Sequence, residues 1–277
     1  MRMLPLAALA GIAFAQQAQN PSPMVEHTRA HLRLPPQPPK GKRATLELGT
    51  LFLPPGLGGK PALLLFFHGD PWIPEVAAAR NKIASVSVVA GNGSGSYQRL
   101  FEDPERFPRV LKDAEEAAHV RFGHIILGGW SAGCGALRQI LKDPGAYARV
   151  TAVVCIDGVH ADYAEGKPAP LEPDLAPENL QVWVQLARDA VAGHKRLILT
   201  HSELFPGTYA STTETADYLL KELGLKCHAV EKWGPMGMQQ LSETSRGKFL
   251  VMGFAGNSAP DHVDQLHSLP AFLKLLR

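Results

Sequence analysis

The sequence predicts an α/β fold: an open, doubly wound, mostly parallel sheet with helices on both faces. Short apolar runs that end in small or polar residues recur along the chain, and stretches able to form helices lie between most of them. Continuous apolar strands that alternate with helices are typical of a parallel sheet covered on both faces. The chain has 277 residues and no visible internal repeat, so one such domain can account for its length.

The individual elements follow from this alternation. Each strand candidate is an apolar run bounded by turn residues, and most helix candidates occupy the stretch between two such runs. The strand candidates are residues 44–54, 62–69, 84–91, 124–129, 150–157, 196–202, 226–233 and 248–256. The helix candidates are residues 75–83, 107–121, 132–143, 178–192 and 212–223, followed by a terminal helix from about residue 270.

The N-terminus has the pattern of a secretory signal peptide. Residues 1–3 carry a positive charge, residues 4–14 are apolar, and residues 13–15 read Ala-Phe-Ala, which matches an A-x-A cleavage site. The apolar run is too short to span a bilayer as a helix. We therefore expect a signal peptide over residues 1–15, no membrane span in the mature chain, and a periplasmic or secreted product.

A lead-in separates this segment from the domain. Residues 16–43 are rich in Pro, Gln and basic residues, and they are expected to be poorly ordered or extended. The α/β domain is expected over residues 44–277.

Composition and cysteine usage exclude several classes of function. The net charge is +2 and no long basic run occurs, so the sequence has no cluster of basic residues of the kind that binds nucleic acid. The three cysteines, Cys134, Cys155 and Cys227, allow at most one internal disulfide, and we expect buried, unreactive thiols at Cys134 and Cys155. No C-x-x-C pair points to a metal site or to redox chemistry, so neither a metal nor an organic cofactor is expected.

A Gly-x-Ser-x-Gly sequence predicts a nucleophile. Gly129-Trp130-Ser131-Ala132-Gly133 follows an apolar strand and opens a helix-like repeat, which is the context of a nucleophile elbow. Small residues are needed two positions either side of the serine because larger side chains would collide with neighbouring backbone. The pattern therefore favours Ser131 as a nucleophile at the carboxyl edge of the sheet, over a serine in a tight packing turn.

A base and an acid can be assigned by position. Among eleven histidines, His262 lies in a predicted loop after the last strand candidate, as the order Ser, acid, His requires. Asp157 ends the apolar strand after the Ser131 helix, and an ionised carboxylate there needs a partner such as an imidazole. Glu203 follows the next strand and is the alternative acid. The sequence favours Asp157 and leaves Glu203 open.

At these residues the chain resembles the α/β-hydrolase superfamily. The resemblance covers about residues 44–277 and rests on the strand order, "HG" after the third strand, "GWSAG" and a late histidine. Five motifs look like those of a group of exported bacterial hydrolases. They are "FHGDPWIPE", "GNGSGSYQRLFEDPERF", "GWSAGCGALRQIL", "DGVHADY" and "HSELFPGTYASTTET". The resemblance implies an oxyanion hole formed by the backbone N–H groups of Ala132 and Asp70. Because a carboxylate in that hole would oppose the oxyanion, we expect the Asp70 side chain to face away or to bond locally.

The loops around the predicted site indicate an open cleft. The Gly-rich segment 91–97 lacks the spacing of a phosphate-binding loop and is expected to line the site. Residues 158–177 are long enough for a small cap only. The residues proposed to line the substrate site are Trp72, Tyr97, Trp130 and His160.

These features together predict an exported serine hydrolase that cleaves a small-molecule or polymeric ester through an acyl-enzyme intermediate. A peptidase, an amidase or an acyltransferase would use the same residues. A non-catalytic binding protein on a hydrolase scaffold is the alternative from another class. The sequence identifies neither the acyl group nor the oligomeric state.

Overall fold

The computed structural model describes residues 30–164 and 174–276, so the predicted signal peptide and the first part of the lead-in lie outside the described residues. The strands are β1 (Lys42–Thr45), β2 (Thr50–Leu53), β3 (Ala62–Phe67), β4 (Ala84–Val88), β5 (His124–Trp130), β6 (Val150–Ile156), β7 (Arg196–His201), β8 (His228–Trp233), β9 (Gln239–Arg246) and β10 (Phe249–Phe254). The helices are α1 (Trp72–Asn81), α2 (Ser94–Arg99), α3 (Arg106–Ala118), α4 (Cys134–Ile140), α5 (Pro144–Arg149), α6 (Gln181–Val191), α7 (Thr212–Glu222), α8 (Ala259–His267) and α9 (Leu269–Lys274).

The strands form one ten-stranded sheet in the order β1-β2-β4-β3-β5-β6-β7-β10-β9-β8. The central strands β4, β3, β5, β6, β7 and β10 pair in parallel. Antiparallel pairs close both edges, with β1 and β2 on one side and β9 and β8 on the other. The predicted class, an α/β fold with a mostly parallel central sheet and helices on both faces, is confirmed.

The core lies on both faces of the sheet because successive side chains of a strand point in opposite directions. In β3, Leu63 and Leu65 pack in the core layer beneath α2–α7, whereas Leu64 and Phe66 pack in the layer beneath α1, α8 and α9. A strand that is buried on both faces must be apolar throughout, which explains why β3 reads as an uninterrupted apolar run.

The C-terminal helices differ from the predicted arrangement. Instead of one helix from about residue 270, α8 begins at Ala259 and α9 follows it. The Ser258 side chain accepts a hydrogen bond from the backbone of Asp261, and the Asp261 carboxylate accepts one from the backbone of Ser258. This capping box, with Pro260 in the first turn, starts the helix. His262 therefore lies on a helix and not in a loop, which corrects the sequence-based expectation.

Part of the lead-in packs on the domain. Residues 30–41 contain no helix or strand, but Leu34 is buried and its backbone N donates to Nδ1 of His267 over 3.1 Å. Arg33 Nε donates to Oδ1 of the fully buried Asp264 over 3.1 Å, and His31 Nδ1 lies 2.7 Å from Oδ2 of the same carboxylate. This segment therefore supports α8 from the outside of the sheet.

The cysteines also depart from expectation. Cys134 and Cys155 form a disulfide with their Cα atoms 6.0 Å apart, so the prediction of two unreactive thiols was wrong. Cys134 is the first residue of α4, and Cys155 lies on β6 two residues before Asp157. The start of this helix therefore lies next to β6. Cys227 is an exposed free thiol.

No helix within residues 30–164 and 174–276 combines the length and the apolar character needed to cross a membrane.

Candidate active site

Ser131 lies at a sharp turn between β5 and α4. Its φ is +50°, a left-handed conformation that is costly for a residue with a side chain. Residues 131–133 form a single 3₁₀ turn before α4 begins at Cys134. A Cβ atom at Gly133 would lie 2.1 Å from the carbonyl oxygen of Phe67, so a larger residue cannot replace this glycine without moving β3. The turn thus holds Ser131 beside the carboxyl end of β3.

Asp157 is the carboxylate that the structure pairs with His262. The Asp157 Oδ2 atom lies 2.7 Å from Nδ1 of His262, and the aspartate is 1% exposed. Ser202 donates to Asp157 through its backbone N over 3.0 Å and through its hydroxyl over 2.7 Å, and the Thr212 hydroxyl also donates to it. Because all these groups donate, the carboxylate is held in the ionised, accepting form.

The same contacts decide the charge of Asp157. Burial by itself raises the pKa of Asp157, but the attraction of His262 and the hydrogen bonds from His262, Thr212 and Ser202 lower the pKa to about 2. An ionised Asp157 can only accept, so Nδ1 of His262 donates to it, and in the tautomer that carries this single proton Nε2 is the nitrogen with a free lone pair.

Glu203 has a different partner. Its Oε2 atom accepts a hydrogen bond from the backbone N of Gly256 over 3.0 Å, and its own backbone N donates to the Gly256 carbonyl oxygen over 3.0 Å. No hydrogen bond joins Glu203 to His262 within the described parts of the chain. Glu203 fixes the loop that precedes α8, and Asp157 holds the imidazole.

The structure does not join Ser131 to His262 by a hydrogen bond, as judged over residues 30–164 and 174–276. The link between them is the side chain of Trp130. Its ring centroid lies 4.6 Å from that of His262, and its Nε1 donates to the His262 carbonyl oxygen over 3.0 Å. His68 stacks on the same indole with centroids 5.0 Å apart and planes 14° apart. Trp130 is thus placed between two histidines.

Tyr97 supports this stack and does not line a cleft, contrary to expectation. It is fully buried, its hydroxyl lies 2.9 Å from Nδ1 of His68, and the same oxygen accepts a hydrogen bond from the backbone N of Ala90 over 3.1 Å. Tyr97 is buried because it lies on the short helix α2, whereas the Gly-rich sequence of segment 91–97 predicts a loop that lines the site. Tyr97 therefore orients His68.

The backbone around the turn offers hydrogen-bond donors. Ala132 follows Ser131 and is buried, and Asp70 lies in the loop after β3 with an exposed side chain. The His68 backbone N is already used, since it donates to the Val88 carbonyl oxygen over 3.1 Å. The backbone N of Asp70 has no acceptor in the described parts of the chain. This N–H group is therefore available to donate to a bound group.

A cleft of about 430 Å³ opens beside Ser131. Ser131, Ala132 and His160 line it. The His160 Nδ1 atom is buried and has no partner among the described residues, and its ring meets Tyr209 edge-to-face with centroids 5.2 Å apart. Burial lowers the pKa of His160 to about 4, so this ring is uncharged at neutral pH.

A second cleft, of about 350 Å³, lies on the other side of Trp130. Trp130 and Asp70 line it, and Asn92 contributes to both clefts. Trp72 lines neither cleft, because its indole packs edge-to-face on His267 with centroids 5.6 Å apart. The expected contact of Trp72 with substrate therefore finds no support in the lining of these two clefts.

Several residues of the site were missed by sequence reasoning. Ser202 and Thr212 bind Asp157, and Arg138 and Asn179 line the larger cleft. Ser202 follows β7 directly, so its position at the carboxyl end of a parallel strand was the available signal. The other three have no comparable signal in the sequence.

One group of side chains has the spacing of a metal site. The ligand atoms of His31, Asp261 and Asp264 lie within 4.8 Å of one another. Asp264 already binds Arg33 and His31, and Asp261 caps α8. These donors are engaged in holding the lead-in and the helix.

Among known proteins, only solved structures are found to be similar to this chain. No protein-family model matches the chain, and no curated protein matches it. The chain is similar to LpqC, a poly(3-hydroxybutyrate) depolymerase from Bordetella parapertussis, at 17% identity and a TM-score of 0.48, covering 83% of this chain and 90% of that one.

Two further solved structures are similar. A puromycin-hydrolyzing peptidase from Mycobacterium tuberculosis is 16% identical with a TM-score of 0.47, covering 84% of this chain and only 39% of that one. An acetyl xylan esterase from Aspergillus awamori is 11% identical with a TM-score of 0.46, covering 84% of this chain and 99% of that one. Likeness of this degree identifies neither a substrate nor a residue role.

Proposed function

We propose that this chain, which has the α/β-hydrolase fold, is an exported serine hydrolase that cleaves carboxylic esters. Ser131 is the nucleophile, His262 the general base and acid, and Asp157 the group that orients His262. The observation that carries the proposal is the hydrogen bond of 2.7 Å between Asp157 and His262, next to a serine held in a left-handed turn. A serine without a catalytic role would not require this left-handed conformation, which destabilises the fold by about 1–3 kcal/mol.

Attack of Ser131 Oγ on the ester carbonyl carbon forms a tetrahedral intermediate, while Nε2 of His262 takes the hydroxyl proton. Asp157 stabilises the imidazolium that results, and it stays ionised because its pKa is far below neutral. The backbone N–H groups of Ala132 and Asp70 donate to the oxyanion. Each such donor lowers the barrier by about 3–4 kcal/mol.

The intermediate collapses when the carbon–oxygen bond to the alcohol breaks. The leaving alkoxide takes the proton from Nε2 of His262, and the acyl group remains on Ser131. Water then attacks the acyl-enzyme with His262 as the base, and the carboxylic acid leaves as Ser131 recovers its proton.

A fluorophosphonate probe tests the nucleophile directly. We expect it to add one phosphonyl group to the wild type and none to Ser131→Ala or to a His262→Ala variant on the same time scale. Ser245→Ala is the matched control, since Ser245 is exposed on β9. Labelling of Ser131→Ala, or none of the wild type, would leave Ser131 as a residue of a tight turn and favour a binding protein.

Hydrolysis of 4-nitrophenyl esters from acetate to decanoate tests the reaction. We expect turnover by the wild type, loss in Ser131→Ala and His262→Ala, and a chain-length profile that reports the size of the acyl pocket. A labelled Ser131 without turnover of any ester would refute the ester assignment and favour amide or acyl-transfer chemistry on the same residues.

Export is part of the proposal. The signal-peptide pattern supports it, and a disulfide between Cys134 and Cys155 is typical of an oxidising compartment. The N-terminal sequence of the protein recovered outside the cytoplasm is expected to begin at Gln16, directly after the predicted cleavage site. Recovery of the product only in the cytoplasm with residues 1–15 retained would refute export.

A further inference from the structure

The cleft beside Ser131 contains a cation that forms no ion pair with any of the residues that the structure describes. Arg138 on α4 lines this cleft, and its Nη2 atom donates to Oε1 of Gln98, a neutral group, over 2.8 Å. The Arg138 Nε atom is buried and has no acceptor within residues 30–164 and 174–276. Asp162, which is exposed at the cleft, acts on Arg138 through charge at longer range and forms no ion pair with it in that part of the chain.

This arrangement is unfavourable in the absence of a ligand. Burial lowers the pKa of Arg138, and the longer-range charge of Asp162 opposes that effect. A buried charge that lacks both a close counter-charge and a full set of hydrogen bonds destabilises the folded chain. A guanidinium with unused donors presents a planar fork, which suits a carboxylate because two parallel N–H···O bonds can form.

The position of Arg138 fits a role in substrate binding. It follows Ser131 by seven residues along the turn and α4, which corresponds to about 10 Å along a helix axis. Helical side chains lean towards the N-terminus of their helix, and for α4 that is the end that follows Ser131. Both side chains line the same cleft of about 430 Å³, which leaves room for a short chain of atoms between them.

The other polar groups of the cleft are uncharged or exposed. His160 is neutral at pH 7 because burial lowers its pKa to about 4, and its Nδ1 atom has no partner in the described chain. Asn179 uses its Oδ1 atom to accept a hydrogen bond from the backbone N of Asp162 over 2.9 Å. Arg138 and Asp162 are therefore the charged side chains among the described residues of the cleft, and Arg138 is the one that attracts an anion.

We propose that Arg138 binds the free carboxylate of a half-ester, so that the preferred substrate has an acyl chain that ends in a carboxylate a few atoms from the scissile carbonyl. This inference rests on the proposed function, since it names the substrate class of the same site. The carboxylate supplies Arg138 with the close counter-charge that none of the described residues provides, while Ser131 attacks the ester at the other end.

Matched substrates test the proposal. Monomethyl glutarate and methyl pentanoate have acyl chains of the same length and differ by a terminal carboxylate, and release of methanol reports hydrolysis of either. We expect the wild type to prefer the half-ester in kcat/KM. Arg138→Met keeps the stem and removes the charge, and it should reduce that preference by about 10- to 100-fold, the range for a hydrogen-bonded charged group.

Two further variants make the result specific. Arg138→Lys keeps a positive charge without the fork and should retain part of the preference. Arg188→Met removes an arginine that is 56% exposed on α6 and pairs with Glu222, and it should leave the preference unchanged. An equal preference in wild type and Arg138→Met would overturn the proposal.

A binding measurement separates this proposal from the proposed reaction. Calorimetry with monomethyl glutarate and the Ser131→Ala variant needs no turnover, and we expect binding that Ser131→Ala/Arg138→Met loses at least tenfold. That result supports the carboxylate subsite even where the wild type cleaves no ester. The opposite outcome is that the wild type hydrolyses both esters and the two variants bind monomethyl glutarate equally. That outcome would refute the carboxylate subsite but not the proposed serine hydrolase activity.

Discussion

The indole of Trp130 contacts the imidazole of His262 through its ring and bonds to the backbone of the same residue through Nε1. Trp130 is covalently next to Ser131, and His262 lies in the first turn of α8. One side chain therefore fixes the distance between the turn that holds the serine and the helix that holds the histidine.

Trp130→Phe is expected to reduce kcat without abolishing it. Phenylalanine keeps the ring contact and removes the N–H group, so the His262 carbonyl oxygen loses a hydrogen bond of about 1 kcal/mol and kcat should fall about fivefold. Steady-state kinetics on a 4-nitrophenyl ester measures the change. Trp72→Phe is the control, because Trp72 contacts His267 and lines neither cleft. Equal effects in both variants would contradict a positioning role for Trp130.

Replacement of the two candidate acids should have very different effects. Asp157→Asn is expected to lower kcat about 10⁴-fold, because the amide no longer stabilises the correct tautomer and charge of His262. Glu203→Gln keeps an acceptor for the Gly256 backbone and should stay within about threefold of the wild type. Fluorophosphonate labelling rates and ester turnover both measure this difference. A larger loss in Glu203→Gln would assign the triad acid to Glu203.

Asp157 also gives the protein a specific sensitivity to acid. Its pKa of about 2 in the folded chain is below the ordinary 3.8, so its ionisation stabilises the fold at pH values above 3.8, and this contribution is lost as the pH falls towards 2. The shift corresponds to about 2 kcal/mol. Urea unfolding between pH 2 and pH 5 should show this loss in the wild type and not in Asp157→Asn.

Glu102→Gln provides the control for the acid series, since Glu102 is exposed. Its pH dependence should follow that of the wild type. A parallel decline in the wild type and Asp157→Asn would show that other carboxylates account for the acid sensitivity.

The disulfide between Cys134 and Cys155 is expected to stabilise the fold substantially. It joins residues 21 positions apart. The restriction of the unfolded chain by a loop of this size stabilises by about 3 kcal/mol. Thermal and urea unfolding of Cys134→Ser/Cys155→Ser should show this loss, and reduction of the wild type should reproduce it. Cys227→Ser is the control and should unfold like the wild type, since this thiol is exposed and free.

The central strands were predictable because their environment leaves little choice of residue. A strand covered on both faces must be apolar along its length, and β3, β5, β6 and β7 all have that character in the sequence. β9 was not predicted. Its sequence, QQLSETSR, is polar since the strand lies near the edge of the sheet with most of its side chains partly or fully exposed. Edge strands carry a weaker apolar signal.

The site was harder to predict because it depends on contacts between distant segments. Asp157 and Glu203 both follow neighbouring parallel strands, so the sequence left the acid open. In the structure Glu203 binds the backbone N of Gly256, whereas Asp157 Oδ2 lies 2.7 Å from Nδ1 of His262, and this difference between long-range contacts favours Asp157. The start of α8 had a sequence signal, the capping box of Ser258 and Asp261, which was read as part of a loop.

The contacts of the lead-in impose an order on folding. Arg33 and Leu34 bind Asp264 and His267, partners that follow them in the chain by 231 and 233 residues. Because a chain is synthesised from its N-terminus, Arg33 and Leu34 are made long before the residues that they bind. Contacts of such long separation form late. The lead-in therefore binds α8 only after most of the domain has formed. In a chain truncated before α8, residues 33 and 34 lack their partners on that helix.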